Sequence, residues 1–376
     1  MENIDEMMAL TPRDLEVFLK MYFKQNPIDV SPLMLRGKPG IGKTEKLQSS
    51  ATAAFGDQDE AEDMNKYYKA VYLTVSDPTR LMGMPSTQFD ERSGKKFAIW
   101  LQPSELPHVD RGDCKRGVLF LDELPSAAPA VQVTAHRLLH ERRIEDYKLP
   151  DGWFVLGAGN RRSDKAQVFE MSAPLANRFM CHITVKTDFD SWRDWAYNHH
   201  IRSEVLAFLN WKQGALLENV SLAQESNAFP TPRSWTNCSK LLDMFNENKN
   251  DPLLRRMVCS CVGQGTGMEF VGFMEVYKDL PDPTAIMDGK IKMPKIEALN
   301  KLWALSGAFI EIFNANPKKY ADKLLELANY ISEKMHETEF GVFIAKMAVR
   351  TPNGMKAIRN SQNFVIFTKK HRDIFF

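Results

Sequence analysis

Leu33-Met34-Leu35-Arg36, followed by Gly37-Lys38-Pro39-Gly40-Ile41-Gly42-Lys43-Thr44, is the stretch on which the reading of this chain turns. A short apolar run enters a glycine-rich turn, and the turn leaves through Lys43 into a helix-spaced segment, Lys43–Phe55. The turn fits the pattern G-x-x-x-x-G-K-[ST]. Its glycines let the backbone curl so that successive N–H groups point at phosphate oxygens, and the helix N-terminus adds its dipole. Lys43 is placed to reach β- and γ-phosphates, and Thr44 offers a hydroxyl to Mg2+. The alternative is a chance glycine-rich turn, which the strand before it and the helix after it argue against.

Outward from the turn, the first half of the chain alternates strand and helix signals. Val71–Val75, Val118–Leu121, Trp153–Ala158 and His182–Val185 are further short apolar runs, and Ala130–Glu141 is a second helical stretch. Such alternation predicts a parallel sheet covered by helices. Thr11-Pro12-Arg13-Asp14 reads as a capped helix start. Beyond about residue 189 the strand signal fades. Helical periodicity continues through Trp192–Asn198, Ser203–Lys212, Ser234–Asn246 and Leu253–Val262. A proline-rich break spans residues 280–294, and Ile296–Asn314 and Lys318–Met335 are helical again. The expectation is an α/β domain at 1–188, a helical lid at 189–280 and a helical C-terminal extension at 281–376.

Four more residue groups carry chemistry. VLFLDE, residues 118–123, is a buried strand from which Asp122 emerges at the C-terminal edge, where ligands sit in open α/β sheets. Asp122 there can hold Mg2+ through water, and Glu123 can polarise an attacking water. Asn160 ends another apolar strand and offers a neutral amide to that water or to a γ-phosphate; an ordinary turn asparagine is the plainer alternative. Arg178, in SAPLANRF, could offer a guanidinium to transferring phosphoryl oxygens in trans. Arg233, in TPRSW, stands at a helix start in the lid, where it can sense phosphate. Read alone, either arginine could equally be a surface residue.

Composition excludes little but narrows the partners. A net charge of +1 gives no global electrostatic reason to expect nucleic acid or membrane. No apolar run approaches a membrane span. The start MENIDEMMALTPRD lacks the pattern of a signal peptide. Five cysteines form no CxxC pair, and the odd count points to reduced thiols and a cytoplasmic location. Cys259 and Cys261 read as core residues of a helix rather than metal ligands. The basic tail TKKHRDIFF reads as a solvated end with a hydrophobic anchor.

In this order, these elements resemble an AAA+ ATPase, and more narrowly the MoxR family and its dynein-related neighbours, over about residues 30–280. LFLDELPSAAPAVQVTAHRLLHERRI is similar to the family's second nucleotide motif and the helix after it, and DGWFVLGAGN to the strand ending at its first sensor, Asn160. SAPLANRF resembles the arginine-finger segment, putting Arg178 forward, and TPRSW the second sensor, putting Arg233 forward. Residues 75–100 resemble the family's insertion in its second helix; STQFD and KKFAIW around Arg92-Ser93-Gly94 also read independently as a β-hairpin. Phe89, Phe97 and Trp100 are expected to anchor that hairpin by packing. Residues 141–152 sit where the family has a hairpin before the first sensor, here a short one. Two departures stand out. Leu124-Pro125-Ser126 follows Glu123 where relatives often carry Asn-Arg, and Arg161-Arg162 follows Asn160 in place of proline, which makes both arginines alternatives for reaching a neighbour's nucleotide.

The resemblance implies Mg2+-dependent ATP hydrolysis in a homo-oligomeric ring, a hexamer by analogy. The work would be chaperone-like remodelling or metal insertion, often with a partner bearing a von Willebrand factor A domain. Two rivals remain. A nucleic-acid-translocating or loading motor would use Arg92, Lys95 and Lys96 of the hairpin. A nucleotide-gated scaffold would turn over little, against which Lys43, Asp122, Glu123 and Arg178 all argue.

Overall fold

The computed structural model describes residues 8–58, 61–92, 94–160, 171–199, 201–217, 228–245, 251–276, 280–296, 298–350, 354–359 and 361–371. The chain divides into two units, residues 1–188 and 189–376.

The first unit is built on five parallel strands, β1 Leu33–Arg36, β2 Tyr68–Tyr72, β5 Gly117–Asp122, β8 Trp153–Gly159 and β9 Cys181–Thr184, in the order β2-β5-β8-β1-β9. Strand β1 pairs with β8 on one side and β9 on the other, so the glycine-rich turn leaves the interior of the sheet. Alternation along the strands supplies two cores. Leu33, Leu35, Val118, Phe120 and Phe154 face α1 (Pro12–Tyr22) and α2 (Lys43–Phe55), which contribute Leu15, Leu19, Leu47 and Phe55. Met34, Leu119, Leu121 and Val155 face α4 (Pro129–Glu141), which contributes Val131, Ala135 and Leu138. Each such side chain, fully buried, is worth about 1.5–3 kcal/mol. Helix α1 starts on a reciprocal cap: the Asp14 amide donates to Thr11 Oγ1 (3.1 Å) and the Thr11 amide to Asp14 Oδ2 (3.2 Å).

The second strand differs from the expected Val71–Val75. Residues 73–75 form a 3-10 turn and Val75 is 79% exposed, while the strand begins at Tyr68. Lys69 hid it: its ammonium pairs with Asp113 at 2.9 Å, so a charge sits in the strand at little cost. Between the β-strands lie a short helix α3 (Thr79–Met82) and a hairpin, β3 Met84–Asp90 against β4 Lys95–Leu101, paired from Met84↔Leu101 to Asp90↔Lys95. A second, two-residue-loop hairpin joins β6 Arg143–Ile144 to β7 Tyr147–Lys148, with Glu145 at φ 46°. The two hairpins meet: the Trp100 amide donates to Asp146 Oδ2 at 2.8 Å. The expected anchoring by Phe89 and Phe97 is not found. Phe89 pairs with Lys96 and Phe97 with Gln88, which puts the two rings on opposite faces of the ribbon, and they are 57% and 50% exposed; of the three aromatic residues Trp100 alone is half-buried. A short helix α5 (Ala173–Ala176) precedes β9.

The second unit is helical in its described residues: α6 Phe189–Asn198, α7 Ser203–Trp211, α8 Pro232–Met244, α9 Pro252–Val262, α10 Gln264–Val276, α11 Pro283–Met287, α12 Leu299–Ala315, α13 Pro317–Lys334, α14 Thr338–Arg350, α15 Gly354–Ile358 and α16 Gln362–Lys370. One hydrophobic core runs through it from Trp192 to Phe367. At its centre Phe208 packs on Trp235 and Phe270 at 5.5 and 5.2 Å, and Trp235 Nε1 donates to the Ala215 carbonyl at 2.7 Å. Cys261 and Cys259 are only half-buried; Cys261 Sγ donates to the Ser234 carbonyl, and all five cysteines are free thiols. No described helix is long and apolar enough to cross a membrane.

Candidate active site

The chain leaves β1 through a loop that glycine alone can build. Gly40 and Gly42 have φ of 76° and 92°, a region that costs an L residue about 1–2 kcal/mol. Gly37 meets a different limit. A Cβ there would fall 2.7 Å from both the Val185 carbonyl oxygen and Ile41 Cδ1. A Cβ on Gly42 would meet nothing within 4 Å, so the loop is open on that side. Ile41 is buried and pins the loop to the core below α2. The Lys46 amide closes the first helical turn onto the Gly42 carbonyl at 2.9 Å. Lys43 Nζ donates to the carbonyls of Gly37 (2.6 Å) and Lys38 (3.0 Å), which folds the ammonium back into the concavity of the loop. Thr44 stands beside it, half-buried.

Strand β8 lies between β1 and β5, with Arg36 level with Gly159 and Leu121 level with Gly157. The C-terminal edge of the sheet therefore carries Gly37, Asn160 and Asp122-Glu123 from three neighbouring strands. Asp122 ends β5 nearly buried, and its Oδ1 accepts the Glu123 amide at 2.9 Å. Glu123 then turns out of the strand with φ 56°, an uncommon conformation for a side chain of its size. Its carboxylate accepts the Asn160 amide nitrogen at 3.4 Å on both oxygens and the Ser126 hydroxyl at 3.4 Å on one. Pro125 is seated over the end of β8, where Gly159 leaves room for its ring; a Cβ at Gly159 would overlap it. The departure Leu124-Pro125-Ser126 is thus part of what holds Glu123 against Asn160. Asn160 Oδ1 is buried and has no hydrogen-bond partner among the described residues. Such an orphan costs about 1–3 kcal/mol unless a donor arrives.

A cradle of open backbone, a lysine ammonium inside it, a hydroxyl, two adjacent carboxylates and an orphaned amide oxygen suit a nucleoside triphosphate with a divalent cation. Thr44 and Asp122 are the groups that would hold the cation.

Arg178 lies in the segment after α5, half-buried. Its Nε donates to Nε2 of His136 on α4 at 3.2 Å, and His136 stacks on His140 one turn on, with centroids 6.2 Å apart. Sequence reading missed His136; the i,i+4 histidine pair on one helix face was the available signal. Burial first, then the charges of Arg178 and His140, hold the His136 imidazolium below the ordinary histidine range. Arg233 belongs to the second unit. It is exposed in the first turn of α8, a helix capped by Thr231 and Ser234. Arg161 and Arg162 lie outside the described residues, as do Ser93 at the hairpin tip and the two terminal phenylalanines.

A parallel sheet in this order, with a glycine-rich loop after β1 and an acidic pair at the end of β5, defines a P-loop nucleotide-binding domain. Residues 32–179 match the family model described as AAA domain (dynein-related subfamily). The chain carries an AAA domain of that subfamily, a class that implies ATP binding and ATPase activity. No protein of curated function matches it. Among solved structures, NtrX from Brucella abortus is 15% identical over 90% of this chain and 71% of its own, with a TM-score of 0.38. A putative ATPase from Cytophaga hutchinsonii is 11% identical over 97% and 82%, with a TM-score of 0.30. The RuvB Holliday junction branch migration motor of Thermotoga maritima is 13% identical over 85% and 76%, with a TM-score of 0.29. At these values none of the three bears on what this chain does.

Proposed function

We propose that the chain is a MoxR-like, Mg2+-dependent ATPase that works as a homo-oligomeric ring, hexameric by analogy, and remodels or activates a partner protein. The observation that carries this reading is the contact of Asn160 with Glu123 along the same sheet edge as the P-loop. Lys43 would release its loop carbonyls and meet the β- and γ-phosphates. Glu123 would polarise the attacking water, which Asn160 orients. Thr44 and Asp122 would hold Mg2+, which would supply charge neutralisation to the phosphates. Arg178 is proposed to serve a neighbouring subunit's γ-phosphate, and Arg233 to act as the second sensor in a lid at 189–280, with 281–376 as an extension. The exposed Phe89 and Phe97, with Arg92, Lys95 and Lys96 nearby, support the β3–β4 hairpin as the surface that meets the client. A partner bearing a von Willebrand factor A domain belongs to the same proposal.

The test mixes two inactive variants. Arg178→Ala and Lys43→Ala should each be nearly inactive, and co-assembled rings should regain activity at seams joining an intact pocket to an intact finger. No recovery despite confirmed co-assembly would remove the trans role of Arg178. ATPase stimulated by single-stranded DNA, with a steep salt dependence, would instead support a nucleic-acid motor.

A further inference from the structure

We infer that His136 is a positioning residue for Arg178, holding the guanidinium by its Nε so that the Nη fork is presented away from its own α4. The inference rests on the reading of Arg178 as a finger.

Among the described residues, the bond to His136 Nε2 at 3.2 Å is the hydrogen bond that the Arg178 side chain makes, and no carboxylate pairs with it. A half-buried guanidinium would ordinarily find an acidic partner, and a bidentate one where geometry permits. Here the single neutral acceptor takes the one N–H that points back along the side chain. Both terminal nitrogens stay available for an oxyanion, and the direction of the fork is set by the imidazole. A carboxylate in place of His136 would compete with phosphate for the same fork.

His136 is itself fixed. It sits in α4, whose Val131, Ala135 and Leu138 are buried against the sheet, and it stacks on His140 at an interplanar angle of 29°. Helix α4 follows directly on the loop that carries Glu123 and Pro125. The water-polarising carboxylate of one site and the arginine offered to the next are therefore mounted on one continuous segment, residues 122–141, through His136.

The bond requires a neutral imidazole with its proton on Nδ1, since Nε2 accepts. The groups that act on it are Arg178 from the segment after α5 and His140 and Glu141 from α4. Helix α3 packs on α4 through Met82 and Thr134, and its Arg80 is held by Glu105. Burial and the positive neighbours outweigh Glu141, so the neutral form persists below the ordinary histidine range. Protonation at lower pH removes the acceptor and sets two cations against each other.

The experiment compares steady-state ATPase of full-length wild type, His136→Ala, His136→Gln and Arg178→Ala across pH 5 to 8, with ATP binding and ring assembly followed in parallel. His136→Ala is expected to lose about tenfold in kcat with KM for ATP little changed, a 1 Å misplacement being worth up to about 10²-fold. His136→Gln, which keeps an acceptor near the Nε2 position and does not titrate, is expected to recover to within about threefold of wild type and to lose the acid limb due to His136. A crippled Arg178→Ala beside a His136→Ala of unchanged kcat and pH profile would overturn the inference alone. A fully active Arg178→Ala would overturn the finger reading, and this inference with it. Loss of ATP binding or assembly in His136→Ala without rescue by His136→Gln would assign His136 a purely structural role and overturn it as well. A histidine NMR titration reads the contact without turnover: His136 should titrate at higher pH in Arg178→Ala, and an unchanged titration would contradict it.

Discussion

Asn160 Nδ2 lies 3.4 Å from both carboxylate oxygens of Glu123, across two strands whose order in the sheet, not in the chain, makes them neighbours. The contact orients the carboxylate. Replacing Asn160 by Asp sets a like charge there and raises the pH at which Glu123 ionises. The acid limb of the pH–rate profile should move upward in Asn160→Asp, while Asn160→Ala should lower kcat about tenfold without that displacement. A pH–rate series on the three proteins decides between these outcomes and a merely structural Asn160.

Gly37 is expected to be intolerant of alanine for a steric reason and Gly42 for a conformational one. At Gly37 the added Cβ meets the Val185 carbonyl, which is backbone and cannot swing aside. Gly37→Ala should cost about 1–3 kcal/mol in the unfolding of the first unit. Gly42→Ala, with open space but φ 92°, should cost about 1–2 kcal/mol. Denaturant unfolding of both variants, monitored with the first unit's own tryptophans, measures the difference; equal wild-type midpoints would mean that the loop conformation drawn here is wrong.

Asp288 gathers Lys319 at 2.7 Å, Lys290 at 3.0 Å and the Tyr320 hydroxyl at 3.0 Å. Those hydrogen bonds, Lys319 first, hold its carboxyl well below the usual range. A depressed folded-state pKa gives stability that is present above the ordinary Asp value of 3.8 and is lost as pH falls below it. The Tm gap between wild type and Asp288→Asn should therefore be constant from pH 7 down to about 4 and then close. A gap that widened toward acid would reverse the sign and refute the network's role.

Phe89 and Phe97 should be replaceable by serine with less than about 0.5 kcal/mol change in stability, since both are at least half exposed. Capture of a client by the hydrolysis-blocked Glu123→Gln protein should drop in the double variant. Unfolding curves and capture yield together separate a working surface from a structural one.

The P-loop was legible because its chemistry is local: eight consecutive residues fix the turn, the cation and the helix start. Asp122 and Glu123 were legible for a similar reason, as the end of an all-apolar strand. What no stretch of sequence carries is adjacency between distant segments. Asn160 reaching Glu123 depends on β8 inserting between β1 and β5, and Arg178 reaching His136 spans 42 residues. Two helices, α10 and α14, were not assigned from the sequence, and each carries a glycine at a close helix–helix approach. Gly267 lets α10 approach α9, where a Cβ would fall 2.7 Å from Cys259 Cα, and Gly341 lets α14 approach α13, where it would fall 2.5 Å from the Ala328 carbonyl oxygen. Phe89 and Phe97 misled in the opposite sense, since aromatic residues on a ribbon suggest packing that the fold does not supply.

On the proposed function, Gly37–Thr44 and the Asp122-Glu123 pair form one ATP-hydrolysing site. Calorimetric titration of ATP into wild type, Lys43→Ala and Glu123→Gln, paired with phosphate release from the same samples, tests it most directly. Wild type should bind and hydrolyse, Glu123→Gln should bind with similar affinity and turn over about 10²–10⁴-fold more slowly, and Lys43→Ala should not bind measurably. Equal affinity for ATP in Lys43→Ala and wild type would contradict the account.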